Sequence, residues 1–355
     1  MNVLTIHSPA LLMEALGSQP FTSVVALTRG ANGTPVTDSA SGVIASEPFN
    51  ARCKLDLVAV RHLRRVIDQW RPDVIHADSS RGLAAAVLAT LGMRRRPRIV
   101  SQRGVTAFPS LWDPSNWLTL RNPRVDGHGC VSGAVRDVLI RAGAPPERCV
   151  VTYRRVAADD TAGADELARL RAELGIPDDA FVVGSIANFR RVKGGDLILK
   201  AAASGSDLRD VYWVLIGRVL DRRLQRLAAD PAVASRVRLA GFQPQAARLA
   251  PLFDVFVMAS RCEGMCHAVL EAMFRGVCPV VTAVGGMKEI VRDGRDGRVV
   301  PPEDPGALAA AIRELFRDAR MRTRLAESAR QRAREIADPV RVAERTMRLY
   351  RAVLQ

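Results

Sequence analysis

Short apolar, β-branched runs alternate with helical patterns along this chain in two successive series, and this alternation narrows the possible folds more than any other feature. Parallel strands need long crossovers, and helices supply them while covering both faces of the sheet, so each series predicts a doubly wound parallel α/β domain. In the first series, strands are expected near residues 3–7, 23–27, 74–76, 98–101, 127–131 and 149–153, with helices over 55–70, 82–91 and 133–142. Pro145-Pro146 and the polar stretch from Ala157 to Ala164 then break the pattern, which places a linker near 156–165. In the second series, strands are expected at 181–187, 212–217, 237–240, 255–258, 279–282 and 297–300. Helical segments start near Gly195, Asp221, Gln245, His267 and Met287. From Asp304 onward the pattern is helical, with Leu308, Ile312, Leu315 and Phe316 at three- and four-residue spacing.

A chain of 355 residues exceeds what one core usually serves, so two domains are predicted. These are an N-terminal domain over 1–160 and a C-terminal domain over 165–338. Pro339 breaks the helical run, and an amphipathic final helix over 340–355 is expected to cross back to the first domain. Two such domains facing a central cleft would bind ligand there, at the carboxyl ends of their strands. A dinucleotide-dependent oxidoreductase would share this outline. Its G-x-G-x-x-G fingerprint is missing from the turns at His7-Ser8-Pro9-Ala10 and Ala187-Asn188-Phe189-Arg190.

Composition excludes other classes. With 48% hydrophobic and 25% charged residues the chain is neither disordered nor collagenous. It has no apolar run of the roughly 18 residues that span a bilayer, so a cytoplasmic location is expected, with a peripheral station at the inner face of the membrane as its variant. The net charge of +15 is spread evenly: residues 1–160 carry 20 Lys/Arg against 13 Asp/Glu, and the rest carry 32 against 24. With no basic tail, a nucleic-acid partner is not expected. The excess fits attraction to an anionic sugar nucleotide or an anionic membrane surface. The densest basic run, from Arg94 to Arg98, reads as a solvated loop. The six cysteines lie among apolar neighbours without paired metal-ligand spacing, and most are expected to be buried small hydrophobes.

Residues 251–303 carry the chemistry. The pattern predicts a buried strand over 254–258, a turn over 261–266 and a helix over 268–274, so backbone N–H groups converge at a helix N-terminus, which is an anion site. Glu263 lies in the turn and Glu271 in the helix, an E-x7-E pair beside that site. Ser260, Gly264, Gly276-x-x-Pro279, Gly285-Gly286 and Glu289-Ile290-Val291 complete the segment. Cys262, Cys266 and His267 flank Glu263 but lack a fourth ligand, so no metal is expected. The whole stretch resembles the donor-site signature of the family 4 retaining glycosyltransferases of GT-B fold.

That resemblance implies a diphosphate against the amides of Gly264, Met265 and Cys266, with Glu263 accepting hydrogen bonds from the transferred sugar. It implies that Glu271 accepts a pair from the ribose hydroxyls. Residues 181–202, F-V-V-G-S-I-A-N-F-R-R-V-K-G-G-D-L-I-L-K-A-A, resemble the first strand of the family's C-terminal domain and the Lys-Gly turn after it. Lys193 matches the family's lysine, and Arg190 or Arg191 supplies its arginine. These cations neutralise the departing nucleotide diphosphate, so no metal cofactor is implied. Gly217-Arg218 and Gly241-Phe242 are placed at the border of the nucleotide.

The first half matches less closely. Residues 72–86 and 126–139 resemble the family's strand-to-helix segments, and Ser132 reads as a helix N-cap. His76 is either a polar residue near the cleft or a buried structural histidine. Two departures stand out. The turn from His7 to Leu12 lacks the family's glycines, and Arg103 stands where many members carry a histidine. Arg103 can contact phosphate or an anionic acceptor but cannot act as a neutral acid–base group. Residues 104–124, with Phe108, Trp112 and Trp117, read as an acceptor-recognition loop, a membrane-contacting loop, or ordinary aromatic packing.

The resemblance implies retaining transfer of a sugar from a nucleotide diphosphate sugar to a saccharide or lipid-linked acceptor in cell-surface polysaccharide or glycolipid assembly. In the front-face mechanism described for the family, the leaving phosphate oxygen helps remove the acceptor proton, so no carboxylate nucleophile is needed. A catalytically impaired nucleotide-sugar-binding partner and a GT-B nucleotide-sugar epimerase are the alternatives.

Overall fold

A computed structural model describes residues 1–7, 23–28, 43–109, 112–154, 160–204, 208 and 210–355. The turn after the first strand, residues 8–12, and residues 156–159 of the expected linker lie outside the described residues. The chain divides into two compact units, Met1–Arg155 with Ala337–Gln355, and Val156–Ile336.

The first unit is built on a seven-stranded sheet of β1 (Asn2–Ile6), β2 (Ser23–Thr28), β3 (Val43–Pro48), β4 (Val74–Ala77), β5 (Arg98–Arg103), β6 (Val125–Cys130) and β7 (Cys149–Val151), in the order 3-2-1-4-5-6-7. Every pairing is parallel, with Leu4 beside Val25 on one side and Ile75 on the other. The inner strands β1 and β4 are buried on both faces, which is why they read as unbroken apolar runs.

Helices cover the two faces. Leu57–Trp70 starts at Asp56, whose side chain accepts from Val58 N and Ala59 N, and it buries Ala59, Leu63, Val66 and Ile67 at helical spacing. Together with Ser80–Ala89 it packs over Leu4, Ile6, Val25 and Ile75. The opposite face, with Val3, Val24, Val74 and Val100, is closed by Met347, Leu349, Tyr350 and Val353 of the last helix, Pro339–Leu354. Each of these large apolar side chains stabilises the unit by about 1.5–3 kcal/mol when fully buried.

The second unit carries a six-stranded sheet of β8 (Phe181–Ile186), β9 (Val211–Ile216), β10 (Val237–Gly241), β11 (Val255–Met258), β12 (Cys278–Thr282) and β13 (Arg298–Val300), ordered 10-9-8-11-12-13 and again parallel. The chain reverses direction across the sheet between β8 and β11, so the loops leaving these two strands diverge from a topological switch point, the usual ligand position of open parallel sheets. The helix Pro305–Arg317, capped by Asp304 through Ala307 N, buries Leu308, Ile312 and Leu315. Phe316 stacks edge-on against Phe181 at 5.1 Å between ring centroids.

Both doubly wound sheets follow the sequence reading, with some differences. β3 was not expected. It is an edge strand ending in Pro48, a position where a missing N–H costs no ladder bond. The helix Ala164–Glu173 begins within the expected linker. The segment near Gln245 is a 3-10 turn, Ala246–Leu252, with Pro251 inside it. Four cysteines are buried, but Cys53 and Cys262 are exposed.

Candidate functional site

The loop after β11 is held from two sides before it reaches the helix His267–Phe274. Thr282 Oγ1 donates to Ser260 O at 2.6 Å, and Arg261 N donates to Val192 O at 2.8 Å. The Arg261 guanidinium forms a fork with both oxygens of Asp196, at 2.7 and 2.9 Å, and an ion pair with Glu303 at 2.5 Å. Burial alone would raise the pKa of Asp196, yet the hydrogen bonds and charge of Arg261 outweigh it and hold the carboxyl below its usual range. This clamp ties the β11 loop to the start of the helix Gly195–Ala203. Sequence reasoning missed it. The available signal was an aspartate at the head of the otherwise apolar segment Leu197-Ile198-Leu199, a placement that calls for a cation.

Between these anchors sits a short turn, Arg191–Lys193, that ends on Gly194 in the left-handed region, φ +64. A Cβ on Gly194 would lie 1.8 Å from the carbonyl oxygen of Ala259, so only glycine lets this turn close against the end of β11. The closure brings Lys193 Nζ to 2.6 Å from Glu263 Oε2, which also accepts from Ser260 Oγ at 3.4 Å. Burial opposes the charge on Lys193, but Cys266 and Glu263 outweigh it and raise its pKa above the ordinary value. Burial pushes the Cys266 thiol up to about 12, so near neutral pH Glu263 is the charged partner that matters.

The helix His267–Phe274 starts at Cys266 with no side-chain capping hydrogen bond, and the N–H groups of Ala268 and Val269 turn toward the Cys266 sulfur. Gly264, Met265 and Cys266 are all buried in the approach to it. One turn further on, Glu271 is half-buried, and its carboxylate has no hydrogen-bond partner among the described residues. Burial raises its pKa, and the Arg275 charge only partly offsets this.

Other expected residues fall at the same edge of this sheet. Arg190, after β8, is exposed and its side chain has no partner among the described residues. Gly217, at φ +134, follows β9; a Cβ there would lie 1.9 Å from Ala187 O. Phe242 follows β10 with 59% of its surface exposed, and the Arg218 guanidinium lies 5.0 Å from its ring centroid.

The first unit departs from expectation. His76, one candidate for a polar cleft residue, is wholly enclosed, with Nδ1 2.6 Å from the hydroxyl of Tyr350 on the last helix. It is the structural histidine of the two readings. Burial lowers its pKa, and the nearby Asp78, itself paired with Arg154, pulls the other way. Arg103, at the end of β5, donates Nη2 to Ala107 O at 2.6 Å. Desolvation lowers its pKa, but an arginine remains a cation near neutral pH. Ser132 accepts from Val135 N as the N-cap of Gly133–Arg141. His7 adopts φ +59, with Nε2 2.9 Å from Phe49 O and Nδ1 2.9 Å from Ser79 Oγ, so the glycine-free turn begins with a histidine in the left-handed region. Because Nε2 faces a carbonyl it carries the proton, and the Ser79 hydroxyl donates to Nδ1.

Two family models together match most of the chain. The family model described as Glycosyl transferases group 1 matches residues 168–332, and the one described as Glycosyltransferase Family 4 matches residues 10–159. A lipopolysaccharide core biosynthesis glycosyltransferase of Rhizobium meliloti is 38% identical over 158 residues, covering 44% of this chain and 46% of its own length. A D-inositol 3-phosphate glycosyltransferase of Geodermatophilus obscurus is 34% identical over 269 residues, covering 70% of this chain and 55% of its own. The chain thus spans about half the length of these curated relatives. Anabaena Alr3699/HepE in complex with UDP superposes with a TM-score of 0.80 at 21% identity, covering 98% of this chain and 99% of that one. A glycosyltransferase from Rickettsia africae does so at 0.81 and 17%, covering 100% and 98%. At such identities the likeness concerns the fold, which is GT-B.

Proposed function

Because the chain belongs to the family 4 glycosyltransferases of GT-B fold, we propose that it transfers a sugar, with retention of configuration, from a nucleotide diphosphate sugar to a saccharide or lipid-linked acceptor. The observation that carries this reading is Glu271. A carboxylate taken partly out of water and left without a donor is costly on its own, and vicinal hydroxyls of a ribose would satisfy it. The diphosphate would lie against the start of His267–Phe274, contacting the amides of Gly264, Met265 and Cys266. Phe242 and Gly217 would border the base.

Lys193 and Arg190 would take up the charge of the departing diphosphate, which is why the reading requires no metal ion. Glu263 would accept hydroxyls of the transferred sugar while Lys193, 2.6 Å away, pairs with it and fixes its orientation. The leaving phosphate oxygen would receive the acceptor proton. Arg103 would then orient an anionic acceptor or phosphate group. An epimerase of the same fold would need neutral acid–base side chains. With His76 enclosed and Arg103 cationic, transfer is the better supported reaction. The relatives named for lipopolysaccharide core and inositol phosphate glycosylation support a role in cell-surface glycan or glycolipid assembly.

The test is product analysis with UDP-, GDP- and ADP-sugars, with and without acceptor candidates. Slow release of free sugar or a glycosylated acceptor with retained anomeric configuration is expected. A rearranged free nucleotide sugar would mean epimerisation, and binding without turnover would mean a nucleotide-sugar-binding partner.

A further inference from the structure

Large apolar side chains are exposed singly on most proteins, so the informative pattern is clustering. Of the 14 that are exposed among the described residues here, seven lie in two segments of the first unit: Leu55, Leu57 and Val58, and Val105, Phe108, Trp112 and Trp117. Trp112 is 93% exposed and Val58 75%. Aromatic packing of an irregular loop therefore does not describe the second segment. The first segment follows β3 and the second follows β5. These strands are parallel members of one sheet, so both segments leave the same edge. Lys54 Nζ, bonded to Ser115 Oγ at 2.6 Å, holds the two together.

Their charge is one-sided. Residues 50–65 and 104–124 contain seven arginines and lysines against two carboxylates, Asp56 and Asp113. Both acids are engaged as caps, Asp56 accepting from Arg52 N, Val58 N and Ala59 N, and Asp113 from Ser115 N. Arg52 and Arg61 stay exposed beside the apolar residues, and Arg121 lies 5.3 Å from the centre of the Trp117 ring.

We propose that this edge of the first unit docks on an anionic lipid bilayer, with Trp112, Trp117, Leu57 and Val58 entering the headgroup boundary and Arg52, Lys54 and Arg61 facing the phosphates. Indole rings and aliphatic side chains beside basic residues have the composition of an interfacial membrane contact. A second copy of the chain is the poorer occupant, since a two-fold contact would set one basic rim against another. This adds a partner to the transferase reading with its lipid-linked acceptor. Vesicle binding is measured without turnover, so either can fail alone.

The experiment is sedimentation of the full chain with vesicles of phosphatidylcholine alone or mixed with phosphatidylglycerol, together with tryptophan emission. Expected are partition into the mixed vesicles only and a blue shift of emission. Trp112→Ser and Val58→Ser should each weaken partition roughly tenfold, since each withdraws one large apolar contact. Leu239→Ser, an exposed apolar position of the second unit, should leave it unchanged. The proposal is overturned by absence of partition in the unmodified chain. It is equally overturned if partition is abolished by salt yet indifferent to Trp112→Ser and Val58→Ser, or if those substitutions instead dissolve a lipid-free dimer. The emission shift in the unmodified chain keeps the test decisive should a variant fold poorly, because Trp213 is fully buried and Trp70 lies at the far end of its helix from Leu57.

Discussion

Replacing Glu271 separates a ligand-binding carboxylate from a structural one, because the two roles move stability in opposite directions. Burial raises the folded-state pKa of this group above its ordinary value. A carboxyl with a raised folded pKa adds stability below its unfolded pKa and loses it as pH rises through the folded value, so near neutral pH the ionised form is a net cost. Glu271→Gln removes that cost, and the melting temperature without ligand should stay level or rise. In the presence of nucleotide the same change removes a charged acceptor, worth about 1.5–3 kcal/mol per hydrogen bond, or roughly 10- to 150-fold in Kd. At a nucleotide concentration 100 times Kd the unmodified chain gains about 2.7 kcal/mol. A 100-fold weaker variant at the same concentration gains only about 0.4 kcal/mol. Differential scanning fluorimetry across UDP, GDP and ADP, with calorimetric titration of the best, measures both quantities. A lower melting temperature without ligand, combined with an unchanged nucleotide shift, would refute the reasoning.

Other expectations concern the framework. Gly194→Ala forces a Cβ into Ala259 O and a positive φ onto alanine, so a stability loss of about 1–3 kcal/mol and a displaced Lys193 are expected by denaturant titration and nucleotide binding. Arg261→Met strands the nearly buried Asp196 and should cost on the order of 3 kcal/mol. Because the Asp196 pKa is lowered, its contribution is present above the ordinary carboxylate range and lost as pH falls through the folded value; the variant's acid limb should therefore be flatter. Tyr350→Phe leaves His76 Nδ1 without its hydroxyl partner and should cost about 1–3 kcal/mol, with faster amide exchange along Pro339–Leu354. His128, lowered from 6.5 to about 4 chiefly by burial, supplies stability that is complete above pH 6.5 and lost as pH falls through 4, so His128→Asn should shrink the loss across that window.

The sequence revealed elements whose signal is local. Val255–Met258 is a pure apolar run fully buried in a parallel sheet, and it appears at the residues expected. The start of His267–Phe274 was legible for the same reason. β3 was not, because Ser46-Glu47-Pro48 at a sheet edge dilutes the apolar pattern. The Arg261–Asp196–Glu303 clamp joins residues 65 and 42 positions apart, and neither propensity nor periodicity records such a meeting. His76 could have been resolved from its neighbours: within Val74–Ala77 all four residues are buried, so a histidine there has no route to solvent.

The last helix has a consequence for how the chain acquires its structure. The first unit is completed by Tyr350 and Val353, while the second lies within one continuous stretch, Val156–Ile336. During synthesis the second unit can close as soon as its own residues have emerged, but the valine-rich face of the first sheet stays uncovered until the final helix arrives. The order of assembly is therefore inverted relative to the order of translation, and the early-made unit is the one left longest with an open apolar face.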